Sequence, residues 1–152
     1  MAVGNFTWFN QALKKIADGT ININGTSFKA VLTTVSQSID KTFAGTSTNC
    51  RYADLTAELT TANGYTAGGV ALTSELLTRA ANVVKWTADP ISWSLSGAIN
   101  FKYLIIYDDA ATNKDLLCFV DFDVGGSSNI TGNPPSIVIT PDTAGILSWS
   151  QP

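Results

Sequence analysis

The residues whose type and spacing best fit chemistry are acidic. Asp121 and Asp123 share one face of a predicted strand, a placement that suits a pair of carboxylates in acid–base catalysis. Several carboxylates together could instead bind calcium, the ion that an all-oxygen ligand set favours. The alternative is that these aspartates cap turns and lie solvated at strand ends. The group consists of Asp108, Asp109, Asp115, Asp121 and Asp123.

The rest of the sequence does not strengthen either chemical interpretation. The acidic segment lacks the spacing of an EF-hand and has no glycine at a loop centre. The chain contains no histidine, which removes the commonest general base, triad partner and metal ligand. We therefore assign no catalytic residue, no metal ligand and no cofactor site from the sequence.

Cysteines and aromatic residues allow two further hypotheses. Cys50 and Cys118 do not form a CxxC pair, so we expect two reduced thiols, with Cys118 buried in a strand. The tryptophans and tyrosines could form a platform on which sugars stack, or they could pack the core of a small β-protein. The tryptophans are Trp8, Trp86, Trp93 and Trp149.

A predicted hairpin must position the acidic residues. Two apolar, β-rich runs, residues 101–107 and 116–122, flank a polar segment that contains Asn113-Lys114. Both faces of the first run are mostly apolar, which predicts a strand in the middle of a sheet with both faces covered.

One helix is predicted, over residues 5–18. Its apolar residues recur at intervals of three and four, Asn5 is the expected N-cap, and Gly19 is expected to end the helix in the left-handed conformation. Lys14 and Lys15 lie in the last turns, where the helix dipole favours positive charge. Its aromatic face must dock either on the body of its own domain or on a neighbouring subunit.

The remaining segments are predicted to be short strands, turns and loops. Asn24-Gly25 predicts a hairpin turn between residues 20–24 and 26–34. A short helix is predicted at 52–61, and strands at 70–76, 80–87, 91–95, 137–140 and 145–150. The glycine- and proline-rich residues 124–136 predict a long surface loop.

These elements predict a mainly β protein, a β-sandwich or jelly-roll-like single domain over residues 1–152 with a short N-terminal helix at 1–19. The net charge of −3 and pI of about 4.6 argue against nucleic-acid binding. No run reaches the roughly 18 apolar residues of a membrane span, and no secretory signal is visible. We expect the chain to be made in a cytoplasm.

The order of several short motifs resembles a family of small structural proteins encoded by tailed bacteriophages and prophages. These motifs are LKKIADGTI, FKAVLTT, NGYTAGGVAL, VKWTADPISWS, FKYLIIYDD and AGILSWS. The resemblance extends over nearly the whole chain and implies a non-enzymatic virion component without cofactors. It implies capsid decoration or cementing, or alternatively a tail or head–tail connector role; a carbohydrate-binding β-sandwich module is the other alternative.

As a virion protein, the chain is expected to bind the major capsid protein or other virion proteins. We expect a homo-oligomer, with a trimer as the natural guess, because symmetry multiplies weak contacts into avidity. The N-terminal helix and the loop 124–136 are the predicted contact elements. The candidate contact residues are Phe6, Trp8, Phe9, Leu13, Asn129, Pro134 and Pro135.

Overall fold

A computed structural model of the chain describes residues 2–3, 6–25, 27–42 and 50–150. The helix α1 spans Asn10–Ala17, and a single 3₁₀ turn spans Tyr52–Asp54. The strands of the described residues are β1 (Ala2–Val3), β2 (Thr7–Trp8), β3 (Phe28–Thr33), β4 (Val70–Ala71), β5 (Leu76–Ala80), β6 (Val83–Thr87), β7 (Ile91–Ser94), β8 (Ile99–Phe101), β9 (Tyr103–Asp108), β10 (Leu116–Asp121), β11 (Ile130–Gly132), β12 (Ser136–Pro141) and β13 (Leu147–Ser150).

The predicted central hairpin is confirmed, except that Phe101, the first residue of its first predicted strand, belongs to β8. Strands β9 and β10 pair in antiparallel fashion, with Phe119 opposite Ile105. They lie in a five-stranded sheet in the order β2-β10-β9-β3-β4, so β9 is the central strand. Every residue of β9 is buried, as expected for a strand covered on both faces.

Three smaller sheets complete a mainly β, β-sandwich-like single domain. Strands β1, β12 and β7 form one, with β1 parallel to β12. Strands β8 and β11 form a two-stranded ribbon. Strands β5, β6 and β13 form a third sheet, called the outer sheet below, in the order β13-β6-β5. Trp86 anchors the outer sheet, because its ring is fully buried against Phe28 and Trp8.

The prediction of a helix over residues 5–18 is wrong at its beginning. Thr7 and Trp8 form β2 instead, opposite Phe119 and Cys118, and the amide of Phe9 donates a 3.0 Å hydrogen bond to the carbonyl of Leu117. Strand pairing therefore takes the backbone groups that a first helical turn would use. The predicted end of the helix is confirmed, since Gly19 has a φ of 79°. The proposed N-cap Asn5 lies outside the described residues.

The predicted hairpin at Asn24-Gly25 is also wrong. Residues 20–25 form bends and turns, and β3 instead pairs with β9 and β4. The alternation that suggested a strand comes from two isoleucines, Ile21 and Ile23, which are buried in the core without strand pairing. Thr26 lies outside the described residues.

Two other segments differ from prediction because β3 and the turns around it bind their backbone groups. The helix predicted at 52–61 is limited to the 3₁₀ turn, since the amide of Leu59 bonds to the carbonyl of Leu32 at 3.0 Å. The strand predicted at 70–76 divides into β4 and the start of β5, and Ser74 between them has a φ of 55°.

The surface loop predicted at 124–136 contains a strand. Ile130–Gly132 is β11, and Gly132 is buried beside Phe101. A Cβ at Gly132 would lie 2.0 Å from the Cδ1 atom of Ile137, so the glycine permits this close approach. The exposed loop is therefore shorter than the sequence suggests. Within the described part of the chain, no helix is long and apolar enough to cross a membrane.

Candidate interaction surface

The acidic residues of the hairpin are distributed among separate local structures. Asp115 forms a 2.6 Å ion pair with Lys15 of α1. Asp109 pairs with Lys114 at 2.7 Å and with Lys29 at 2.8 Å, and these two lysines, Lys114 first, lower the pKa of its carboxyl group. These pairs link the hairpin to α1 and β3.

The carboxylates of Asp121 and Asp123, considered above as a catalytic pair, both accept hydrogen bonds from backbone amides. The carboxylate of Asp121 accepts a 2.9 Å hydrogen bond from the amide of Asp123, whose own carboxylate accepts one from the amide of Ser128 at 2.8 Å. Both are turn contacts of the kind that aspartate commonly makes. The described residues contain no group of three or more side chains of His, Cys, Asp or Glu able to hold a metal ion.

The two cysteines are free and buried, in agreement with the prediction. Burial raises the pKa of Cys50 to about 12 and raises that of Cys118 well above its ordinary value. Both thiols are thus protonated near neutral pH, which suits packing and not nucleophilic chemistry.

Most of the aromatic residues pack the core, so they do not form a shared exposed platform for sugars. Trp8, Trp86 and Trp93 are all buried, and the indole of Trp8 donates a 3.0 Å hydrogen bond to the carbonyl of Ile146. Tyr65, Tyr103 and Tyr107 are buried as well. Trp149 differs from the other tryptophans, because its side chain is 41% exposed.

A network of tyrosines around Glu58 was not predicted. The carboxylate of Glu58 accepts a hydrogen bond from Tyr52, another from Tyr65 at 2.8 Å, and one from the amide of Gly68 at 2.7 Å. The hydroxyl of Tyr107 donates to the carbonyl of Gly68 at 3.0 Å. The network fastens the GYTAGG turn to the central sheet.

Burial is the first cause that raises the pKa of each tyrosine in this network, to about 12 for Tyr52 and further above the ordinary range for Tyr65 and Tyr107. The phenols therefore act as hydrogen-bond donors and not as bases. No spacing signal in the sequence links them with Glu58, because the contacts join separate segments.

The candidate contact residues fall into two groups. Trp8 and Phe9 lie in the core of this chain, and Phe9 is fully buried with its ring centroid 5.3 Å from that of Phe119. They are therefore withdrawn as contact candidates, and the aromatic face that was assigned to the helix docks on its own domain. Phe6 is half-buried and packs on the core.

The other candidates remain accessible. Leu13 is 37% exposed on α1, and Pro134 and Pro135 are exposed. Asn129 is exposed too, although its side-chain oxygen accepts a 2.7 Å hydrogen bond from the amide of Val35 and so fixes the base of the loop. Contact of these residues with a partner remains a prediction.

The outer sheet carries exposed apolar residues that the sequence did not single out. Its register places Trp149 opposite Val84 and Leu147 opposite Trp86. On the face that carries Trp86, exposure increases along the strands, from fully buried Trp86 to Trp149 at 41%. This end of the sheet therefore extends beyond the core.

The edges of the outer sheet are also open. Among the described strands, neither β5 nor β13 has a second neighbour. Strand β13 carries no charged residue, proline or bulge, which are the usual devices that keep an edge from pairing with another chain. A cleft of about 290 Å³ opens on the face that bears Val83. It is lined by Thr78, Ala80, Val83, Lys85, Thr143, Ala144 and Ser148.

A single exposed apolar residue lies on the loop 123–128. Val124 is 85% exposed. Lys102 supports the loop, because its ammonium donates a 2.6 Å hydrogen bond to the carbonyl of Gly126. A side chain on a pre-ordered loop loses little entropy on binding, so Val124 is available to add to a contact with another protein.

Comparison with known proteins identifies no relative: no family model, no curated protein and no solved structure matches this chain.

Proposed function

We propose that this protein is a non-enzymatic structural component of a tailed-bacteriophage virion, a capsid decoration or cement protein that binds and stabilises the shell. The observation that carries the proposal is the outer sheet. It presents Trp149, at 41% exposure, on the unprotected edge strand β13, and it presents Leu76 and Val83, at 54% and 38%, on its opposite face.

The outer sheet has the composition of a protein contact. Tryptophan is enriched among the residues that dominate binding energy, and Trp149 lies beside half-buried Val84 on the face opposite Val83. The free backbone groups of β13 can pair with a strand of another subunit. The partner is the major capsid protein or another virion protein.

The loop 123–128 supplies a second contact at a separate place in the chain. Decoration by contacts of modest strength requires several of them at once, so that linked sites act together. A homotrimer would present three outer sheets and three copies of Val124 to the shell. The protein is made in the host cytoplasm and ends in the virion, without nucleic-acid or membrane contacts of its own.

The arrangement of the polar residues supports a structural role over an enzymatic one. The carboxylates of Asp109 and Asp115 are neutralised by lysines, and that of Glu58 is occupied by two phenols and an amide. Groups held in this way stabilise turns and sheet contacts instead of meeting a substrate.

The location of the protein in the particle tests the proposal. Virions of the phage or prophage that encodes the chain would be separated into heads and tails, and the chain quantified in each by mass spectrometry. We expect it in the heads, at a fixed ratio to the major capsid protein. Recovery with tails alone would support the tail alternative and refute decoration, and absence from both fractions would refute the virion role.

A further inference from the structure

One row of side chains on the outer sheet places an arginine, a valine and a tryptophan next to one another. In the register of the sheet, Arg79 of β5 is opposite Val84 of β6, which in turn is opposite Trp149 of β13. Directly opposed residues of antiparallel strands point to the same face of a sheet. Because neighbouring strands lie about 4.8 Å apart, the backbone of Arg79 is about 10 Å from that of Trp149. These three residues are called the overhang row below.

The overhang row continues a face that is packed on the core one step earlier along the strands. That earlier row consists of Leu77, Trp86 and Leu147, which are opposite one another in the same register. Trp86 is fully buried, and both leucines pack on the core. In the overhang row Val84 is half-buried, and the residues on either side of it are exposed. The overhang row therefore has the orientation of a core face but lies where the body of the domain does not cover it.

The guanidinium of Arg79 has no carboxylate partner in the part of the chain that the structure describes. The other arginine of the chain differs, since Arg51 pairs with Asp54 at 3.1 Å. An arginine side chain offers five N–H donors in a planar fork that matches the two oxygens of a carboxylate. In a protein with a net charge of −3, the overhang row thus carries a free and directional contact for an anionic group.

The residue types of the overhang row are those that contribute most to the binding energy of protein contacts. Tryptophan and arginine are enriched among hot-spot residues, which are surrounded by neighbours that exclude water. Val84 and the ring of Trp149 provide apolar area beside the guanidinium. A carboxylate that binds there would be partly shielded from water, which strengthens its attraction to Arg79.

Protection of a sheet edge is the other role that Arg79 could have. Strand β5 has one neighbour among the described strands, and a charge on an edge strand discourages pairing with another chain. The two roles differ in what loss of the charge should do. Loss of a protective charge should increase self-association, whereas loss of a binding residue should weaken contact with the partner.

We propose that the overhang row binds a protein surface that presents a carboxylate to Arg79 and an apolar side chain to Trp149, and that Arg79 determines the specificity of this contact. The proposal rests on the virion role, so the partner is the major capsid protein or another virion protein. The partner's two groups should lie about 10 Å apart, as Arg79 and Trp149 do. A surface with a cation in place of the carboxylate would be repelled.

Two substitutions separate this ion pair from the general charge of the sheet. Arg79→Gln and Lys85→Gln each remove one positive charge, but Lys85 lies on the opposite face, where its ammonium donates to the carbonyl of Thr143 at 2.9 Å. Each protein would be sedimented at low and high salt with phage shells stripped of the wild-type chain. We expect Arg79→Gln to bind roughly tenfold more weakly and with less dependence on salt, and Lys85→Gln to bind as the wild type does.

The outcomes distinguish this contact from the virion role. Saturable binding of the wild type with equal affinity in Arg79→Gln would overturn the proposal and leave the virion role intact. Equal losses in the two glutamine variants would also overturn it, because any cation of the sheet would then suffice. A wild-type chain that does not bind shells would refute both decoration and this contact.

Analytical ultracentrifugation of the isolated proteins tests the remaining roles of Arg79. A larger oligomer in Arg79→Gln, with unchanged shell binding, would assign the arginine to edge protection. A smaller oligomer in Arg79→Gln than in the wild type would assign the overhang row to a contact between copies of this chain. Either result would overturn the proposal, and equal oligomeric states together with weaker shell binding would support it.

Discussion

The ammonium of Lys102 donates a 2.6 Å hydrogen bond to the carbonyl of Gly126, although the lysine is only 4% exposed. Lys102 also lies 3.8 Å from the carboxylate of Asp121 and 5.2 Å from the ring centroid of Tyr103. A buried lysine thus fixes the loop that carries Val124.

Replacement of this lysine should loosen the loop. In Lys102→Met the stem still fills its space, but the carbonyl of Gly126 loses its donor, and we expect a loss of about 1–3 kcal/mol in the free energy of unfolding. Hydrogen exchange should also become faster at the amides of Gly126 and Ser128. The control Lys85→Met removes an exposed 2.9 Å contact to the carbonyl of Thr143 and should have a smaller effect. Equal exchange rates in Lys102→Met and wild type would contradict this role.

The two glycines at the end of the GYTAGG turn should respond differently to alanine. Gly68 and Gly69 both have positive φ, at 92° and 71°. A Cβ at Gly68 meets nothing within 4 Å, whereas one at Gly69 would lie 1.9 Å from the carbonyl oxygen of Ala30. Gly68→Ala should therefore cost only the conformational strain, about 1–2 kcal/mol. Gly69→Ala must also displace β3, so we expect a loss of roughly 4 kcal/mol or more. Chemical denaturation measures both, and similar losses would show that the turn does not pack as described.

The tyrosine network should make the free energy of unfolding decrease at alkaline pH. The pKa of Tyr52 is about 12 in the folded protein and near 10 in an unfolded chain, so the folded state holds this proton more tightly. Its contribution is fully present below pH 10 and is lost as the pH rises from about 10 through 12. Urea denaturation between pH 8 and 11 should show this decline, and Tyr52→Phe should show a shallower one. If the free energy of unfolding declined equally with pH in both proteins, Tyr52 would not be the group responsible.

Alanine substitutions at Trp149 and Trp86 should differ in their effect on the free energy of unfolding. Trp149→Ala truncates a side chain that is 41% exposed, so we expect a nearly unchanged free energy of unfolding. Trp86→Ala removes a fully buried ring and should cost roughly 3–5 kcal/mol. Thermal denaturation of the two variants provides the comparison. A large loss in Trp149→Ala would mean that this residue serves the fold instead of a contact surface.

The parts of the fold that the sequence predicts best are those with a dense local signal. The β9–β10 hairpin is one example, because both strands are apolar up to a terminal aspartate and a polar segment separates them. The end of α1 is another, because Gly19 and the preceding lysines act within one turn. In each case the residues that determine the structure are neighbours along the chain.

Segments whose backbone groups bond to distant residues were predicted less well. Thr7 and Trp8 follow an apolar spacing that fits a helix, yet β10 binds their backbone. Ile21 and Ile23 alternate as in a strand, but they are buried singly. The Glu58 network depends on contacts between separate segments, so no local motif marks it.

Binding to phage shells tests the central claim most directly. Shells stripped of this protein would be sedimented with wild-type chain, with Trp149→Ala, and with Val138→Ser, a control on β12 with a similar exposure of 40%. The account predicts saturable binding of wild type and control at a fixed ratio to the major capsid protein, and at least roughly tenfold weaker binding of Trp149→Ala, as for a hot-spot residue. No saturable binding of the wild-type chain to shells would contradict the decoration role, and binding unaffected by Trp149→Ala would contradict the outer sheet as its contact surface.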